Sequence, residues 1–114
     1  MAFTEFELKQ IENTVGNMCK RRSPVHLRDQ LRTVFVVKEH DVTVYQERPR
    51  CNNPGEWTTS GIAKFKYIRN QDVWQLYWMR QDLKWHSYGP FPESTRIDRL
   101  VAEVDKDFHG AFFG

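Results

Sequence analysis

The sequence predicts an α+β fold in which two helices pack on one face of a five-stranded antiparallel sheet. Both ends of the chain carry apolar residues at helical spacing, whereas the middle alternates with a period of two. At 114 residues, with no internal repeat, the chain has the length of one domain with one core. We therefore expect a single domain over residues 1–114: helix, hairpin, three-stranded meander, helix.

The first helix is predicted over residues 5–22. Thr4 is placed to cap it, with Glu7 three residues later as the second half of a capping box, and Phe3 is expected to pack against Leu8. Four apolar residues then recur at steps of three or four, which puts them on one face: Leu8, Ile11, Val15 and Met18. Ser23-Pro24 ends the helix.

A hairpin is predicted next, because residues 31–38 and 42–48 are rich in β-branched side chains and only three residues separate them. Pairing Phe35 with Val44 and Val37 with Val42 brings apolar residues together on one face. That face is expected to belong to the core.

Residues 49–61 are predicted to form a long irregular loop, since prolines, glycines and asparagines interrupt the alternation. Loops of that length inside a domain are often functional. Trp57 has two interpretations there: a loop anchor folded over one end of the core, or an exposed ring beside Arg48 and Arg50.

The meander is predicted from residues 61–69, 73–80 and 83–88, joined by two-residue turns at Asn70-Gln71 and Gln81-Asp82. These turns set Tyr67, Phe65 and Ala63 opposite Trp74, Leu76 and Trp78, and Trp78 opposite Trp85. The tryptophans therefore point towards the helices.

The same registers leave a second, basic and aromatic face on the meander. Its predicted binding residues are Lys64, Lys66, Tyr77, Lys84, His86 and Tyr88. Alternating cations and rings suit nucleic acid or another anionic ligand, phosphorylated or acidic. The competing interpretation is that these residues are the ordinary wet side of an antiparallel sheet.

The second helix is predicted from Ile97, Leu100, Val101 and Val104, with Ser94 or Thr95 as its cap and Gly110 as its stop. The apolar tail AFFG is expected to dock onto the domain or onto a partner. A homo-oligomer that buries this tail or the flat sheet face is one alternative function.

Several classes of protein are disfavoured by composition. No apolar run reaches the roughly 18–20 residues of a membrane span, and the acidic N-terminus is unlike a secretion signal, so we expect a cytoplasmic protein. The net charge of +2 hides a basic middle, with eight Lys and Arg against four Asp and Glu over residues 20–50. So small a net charge does not by itself imply a polyanionic partner, but the middle of the chain is basic and both ends are acidic.

The residues that could perform chemistry are sparse. The four histidines and two cysteines show no metal-ligand spacing, so we expect no metal and no cofactor. An enzyme remains an alternative through Cys51, flanked by arginines in the 49–61 loop, with His86 or His40 as its base. Without a catalytic signature around Cys51, a non-enzymatic binding module is favoured.

Several motifs in order carry a resemblance to a known family: PGEWT, AKFKYI, WQLYW, LKWHSY and the ending DFHGAFFG. With them, the chain resembles a family of small, uncharacterised bacterial proteins, the domain of unknown function numbered three thousand and twenty-four. The resemblance spans nearly the whole chain and departs near Cys51 and at Phe113, where tryptophan is expected. It implies a bacterial single-domain protein and transfers no activity, cofactor, partner or catalytic residue.

Overall fold

A computed structural model describes residues 3–27, 29–50 and 52–113 and confirms the α+β fold. The N-terminal helix consists of α1 (Glu5–Ile11), a π-helical segment (Glu12–Gly16) and α2 (Asn17–Arg21). The strands are β1 (Arg32–Lys38), β2 (Asp41–Arg50), β3 (Asn53–Ile68), β4 (Val73–Met79), β5 (Trp85–Ser87) and β6 (Glu93–Ser94). The C-terminal helix is α3 (Ile97–Lys106). No helix in these described ranges is long and apolar enough to cross a membrane.

The N-terminal helix begins at the predicted capping box. The Glu7 backbone N donates to Thr4 Oγ1 at 3.2 Å, and the Thr4 backbone N donates to Glu7 Oε1 at 2.9 Å. Ile11, Val15 and Met18 are buried as predicted. The expected contact of Phe3 with Leu8 is wrong, because Phe3 stacks on Trp74 at 5.4 Å between ring centroids and Leu8 is 41% exposed.

The sheet has the strand order β1-β2-β3-β4-β5, with β6 pairing with β4. In the first hairpin Phe35 lies opposite Val44 and Val37 opposite Val42, as predicted. The predicted register of β3 and β4 is also confirmed, with Phe65 opposite Leu76. Both helices pack on this apolar face, where the buried residues of the sheet meet those of the helices in one core.

The predicted loop over residues 49–61 is wrong, because β2 and β3 continue through most of it as one long hairpin. Trp57 pairs with Pro49 and Thr58 with Arg48. The β-forming run from Trp57 to Thr59 outweighs the turn residues around it. Trp57 fits neither interpretation, since its ring lies under the Arg32 guanidinium, 3.6 Å from Arg32 Cζ to the ring centroid. Cys51 lies outside the described residues.

A β-bulge interrupts the pairing of β2 and β3. Val44 lies opposite Ala63, but the next residue, Tyr45, lies opposite Gly61, so Ile62 is the extra residue on β3. Its side chain is buried. The bulge therefore joins the core part of the hairpin to its outer half.

The C-terminal helix buries Ile97, Leu100, Val101 and Val104, as predicted. Its N-cap is Arg96 without a side-chain cap bond, so the predicted cap at Ser94 or Thr95 is wrong. The helix also stops before Gly110, at Asp107 in the left-handed conformation.

The tail docks onto the domain. The Asp107 carboxylate accepts hydrogen bonds from the backbone N of Phe112 at 3.0 Å and of Phe113 at 2.8 Å. Phe112 is buried, and the Arg22 guanidinium lies 3.6 Å from the centre of the Phe113 ring. The expectation that this tail docks onto the domain is therefore confirmed for residues 111–113.

Candidate binding face

The turn between β4 and β5 decides which side chains share the uncovered face of the sheet. A two-residue turn was predicted, but Arg80 and Lys84 close a three-residue loop, with the Arg80 backbone N donating to the Lys84 carbonyl at 3.2 Å. Leu83 takes the left-handed conformation there, with φ 61°. The loop sets Trp85 opposite Met79 and His86 opposite Trp78, one residue away from the predicted register.

This shift reverses the faces of the third meander strand, because neighbouring side chains in a strand point to opposite sides. The prediction that Trp85 faces the core and that His86 and Tyr88 share a face with Lys64 is wrong. Trp85 shares that face, whereas Tyr88 is 2% exposed and its ring contacts Phe112.

His86 lies near Tyr88 on the helix side of the sheet. Its Nε2 is 2.9 Å from Asp82 Oδ2, and the hydrogen bond with His86 is the main reason why the pKa of Asp82 lies below its usual value. Lys84 is exposed in the loop before β5, and its backbone N donates to Asp82 Oδ1. His86 therefore lies on the opposite side of the sheet from Lys64, and Lys84 belongs to the loop before β5.

The side of the sheet away from the helices is called the open face here. Thr43, which lies between Val36 and Lys64 on this face, is buried. The other members named here are exposed or half-buried and come from five strands that lie side by side. They are Val34, Val36, Tyr45, Lys64, Lys66, Tyr77, Met79 and Trp85. Of the six binding residues predicted from sequence, the structure therefore brings Lys64, Lys66 and Tyr77 together on this face.

Trp85 comes from β5, the last strand in the sheet order, and its indole reaches back across the open face to β3. A Cβ atom built on Gly61 would lie 3.0 Å from two carbons of the indole and 2.8 Å from Met79 Cε, so the ring packs over bare backbone two strands away. Lys64 Nζ is 5.4 Å from the centroid of the same ring, within the range of a cation–π contact. Sequence reasoning missed Trp85 here because the turn length was wrong by one residue.

The two lysines of the open face differ in their cross-strand neighbours. Lys64 lies between Thr43 and Tyr77 in the sheet, and neither it nor Lys66 forms an ion pair within the described part of the chain. Elsewhere arginines are paired, for example Arg69 with Glu7 at 2.9 Å. The Asp41 carboxylate lies opposite Lys66 in the sheet, whereas both cross-strand neighbours of Lys64 are uncharged, so an anion on the open face would meet less competition at Lys64.

The remaining chemical candidates are weaker. Cys19 is buried, and burial raises the pKa of its thiol to about 12, so it stays neutral and unreactive near neutral pH. Among the described residues, no three His, Cys, Asp or Glu side chains are placed to hold a metal ion.

The comparison with known families gives one match. Residues 3–114 match the model of a family described as "Domain of unknown function (DUF3024)". No curated protein and no solved structure matches the chain.

Proposed function

The chain belongs to the DUF3024 family of domains of unknown function, and we propose that it is a non-enzymatic module that binds single-stranded nucleic acid across the open face. The observation that carries this proposal is the Trp85 ring packed over Gly61 with the Lys64 ammonium beside it. Modules that hold single strands combine aromatic rings, on which bases stack, with cations that follow the phosphates. The open face has both.

The spacing of the charged rows supports an extended ligand. Lys64 and Lys66 lie two residues apart on β3 and point to the same side, so their Cα atoms are about 6.5–7 Å apart. That separation is close to the distance between successive phosphates of an extended single strand. Tyr77, across from Lys64, adds a second ring next to the cations.

Binding of a fluorescently labelled single-stranded oligonucleotide, measured by anisotropy at low salt, tests the proposal. We expect Lys64→Glu combined with Lys66→Glu to weaken binding about tenfold or more and to reduce its dependence on salt, because both phosphate contacts are lost. Lys9→Glu combined with Arg99→Glu is the matched control: it changes net charge equally at exposed helix positions and should retain near-normal affinity. Equal loss in both variants, or no binding by the unmodified chain, would refute the proposal.

The contribution of stacking is separated from that of charge by Trp85→Ala. Since stacking contributes about 1–3 kcal/mol per base, this substitution should weaken oligonucleotide binding roughly tenfold and leave binding to inorganic polyphosphate nearly unchanged. If Trp85→Ala weakens both ligands equally, the face binds polyanions without recognising bases.

A further inference from the structure

The edge of the sheet next to the N-terminal helix carries unpaired backbone groups. β1 is the first strand in the sheet order, so β2 is the one strand that pairs with it in the described part of the chain. At its beginning the outer side is closed: the Thr33 backbone N donates to Ser23 Oγ at 2.7 Å, and Ser23 Oγ donates to the Thr33 carbonyl at 3.1 Å. The Ser23 hydroxyl thus occupies the place that another strand would take.

Farther along β1 the edge is open. Backbone groups of alternate residues point to the same side of a strand, so Phe35 and Val37 direct their N–H and C=O outwards as Thr33 does. No hydrogen bond joins these groups to another element in the described part of the chain. The usual protections of an edge, proline, a bulge or an interrupting charge, are also absent between Thr33 and Val37.

From these observations we infer that β1 pairs antiparallel with β1 of a second copy of this chain. The pairing is two-fold symmetric, with its axis at Val36. This register places Phe35 of one copy opposite Val37 of the other, and it joins all four outward groups of each copy in hydrogen bonds. An axis at Phe35 would instead direct Val37 towards Thr33, whose groups are already bound to Ser23.

The side chains along this pairing are complementary. Val36 is 51% exposed on the open face, and the axis brings it against Val36 of the second copy. On the other side, Phe35 and Val37, which pack only partly against the core, lie beside the same residues of the second copy. Apolar side chains therefore meet on both faces of the new strand pair.

The helix beside the edge supplies charge complementarity. A groove of about 470 Å³ separates the N-terminal helix from β1, and Glu12, Gly16 and Lys20 line it. Gly16 lies beside the pairing centre, since its Cβ position is 3.4 Å from the Phe35 ring. Glu12 and Lys20 lie four residues before and after it, so a two-fold axis there sets Glu12 of one copy towards Lys20 of the other.

The pairing stands apart from the proposed function, because it needs no ligand, but it would extend that function. Two sheets joined at β1 form one continuous sheet, and their open faces lie on the same side of it. Two sets of Lys64, Lys66 and Trp85 would then follow each other along one surface.

The mass of the full chain in solution, measured by sedimentation equilibrium without nucleic acid, tests the inference. We expect a dimer for the unmodified chain and a monomer for Val36→Lys. The substitution would place the positively charged lysines of the two copies opposite each other at the axis, where they repel. Ser87→Lys is the control: it adds the same charge at an exposed position on β5, far from β1 in the sheet order, and should remain dimeric. A monomeric unmodified chain, or a Val36→Lys variant that still forms the dimer, overturns the inference.

Two further variants test the symmetry. Glu12→Lys or Lys20→Glu alone should weaken the dimer, and the two together should restore it. Val36→Cys in a Cys51→Ser background should form a disulfide-linked dimer on mild oxidation, because the two Cα atoms at the axis would be about 4.5–5.5 Å apart. Absence of both the restored dimer and the disulfide would exclude this register. Loss of dimerisation leaves oligonucleotide binding by a monomer measurable, so the two proposals fail separately.

Discussion

Gly61 and Trp85 come from strands that are two positions apart in the sheet, yet the indole lies directly over the glycine backbone. A methyl group at position 61 would lie 3.0 Å from indole carbons Cη2 and Cζ2. Glycine is required there by the space that the ring occupies. The contact holds the ring on the open face.

Gly61→Ala should therefore destabilise the domain by about 1–3 kcal/mol, because Met79 and Trp85 must move to admit the methyl group. The shift of the indole should also change tryptophan fluorescence. Urea unfolding measures the free energy, and Gly89→Ala is the matched control, since nothing lies within 4 Å of its Cβ position. Equal stability of the two variants would contradict the packing described for Trp85.

Glu7 should contribute stability that depends on pH. The hydrogen bond from Arg69 is the main cause that holds the pKa of Glu7 below 4.5, its ordinary value. A lowered folded-state pKa means that the contribution is present above pH 4.5 and is lost as pH falls through the folded-state pKa. Because the pair is partly exposed, the contribution should not exceed about 1 kcal/mol.

The measurement for Glu7 is the free energy of unfolding at neutral and acidic pH. Glu7→Gln retains a side chain suited to the capping box but loses the charge. We expect the variant to be less stable than the unmodified chain at neutral pH and equally stable at acidic pH. A difference that persists in acid would assign the effect to the cap.

Cys19 should not react with thiol reagents while the protein is folded. Burial raises the pKa of its thiol to about 12, so almost no thiolate is present at neutral pH. In a Cys51→Ser variant, the remaining thiol should react only after denaturation. Rapid labelling of the folded variant would show that the N-terminal helix opens readily.

Arg22 and Arg21 both pair with Asp105, but their substitutions should differ in effect. Arg22 also donates to the Asp105 carbonyl at 2.6 Å and lies on the Phe113 ring, whereas the side chain of Arg21 is 58% exposed. We expect Arg22→Ala to cost about 1–3 kcal/mol and Arg21→Ala at most about 1 kcal/mol. Thermal melts of the two variants give the comparison, and similar melting temperatures would contradict it.

The sequence predicted those parts of the fold in which side-chain pattern and geometry agree. The pairing of Phe35 with Val44 could be predicted because only three residues connect the two strands and because this register places apolar residues opposite each other. The capping box at Thr4 and Glu7 was equally local. In each case the local structure depends on residues that lie close together in the sequence.

The face of Trp85 could not be predicted in this way. It depends on whether the turn before it has two or three residues, and the third is accommodated by Leu83 in the left-handed conformation, which leucine rarely adopts. A glycine or asparagine there would have indicated the longer turn. The binding residues predicted on β3 and β4 kept their places, while His86 and Tyr88 changed sides with Trp85.

Ile62 inverts the parity of β3. After it, odd-numbered residues such as Phe65 face the helices, whereas before it odd-numbered Trp57 and Gly61 face away from them. Strict alternation would have put the Trp57 ring on the opposite side of the molecule from Trp85. The one extra residue in β3, more than the chemistry of any side chain, therefore places Trp57 and Trp85 on the same surface.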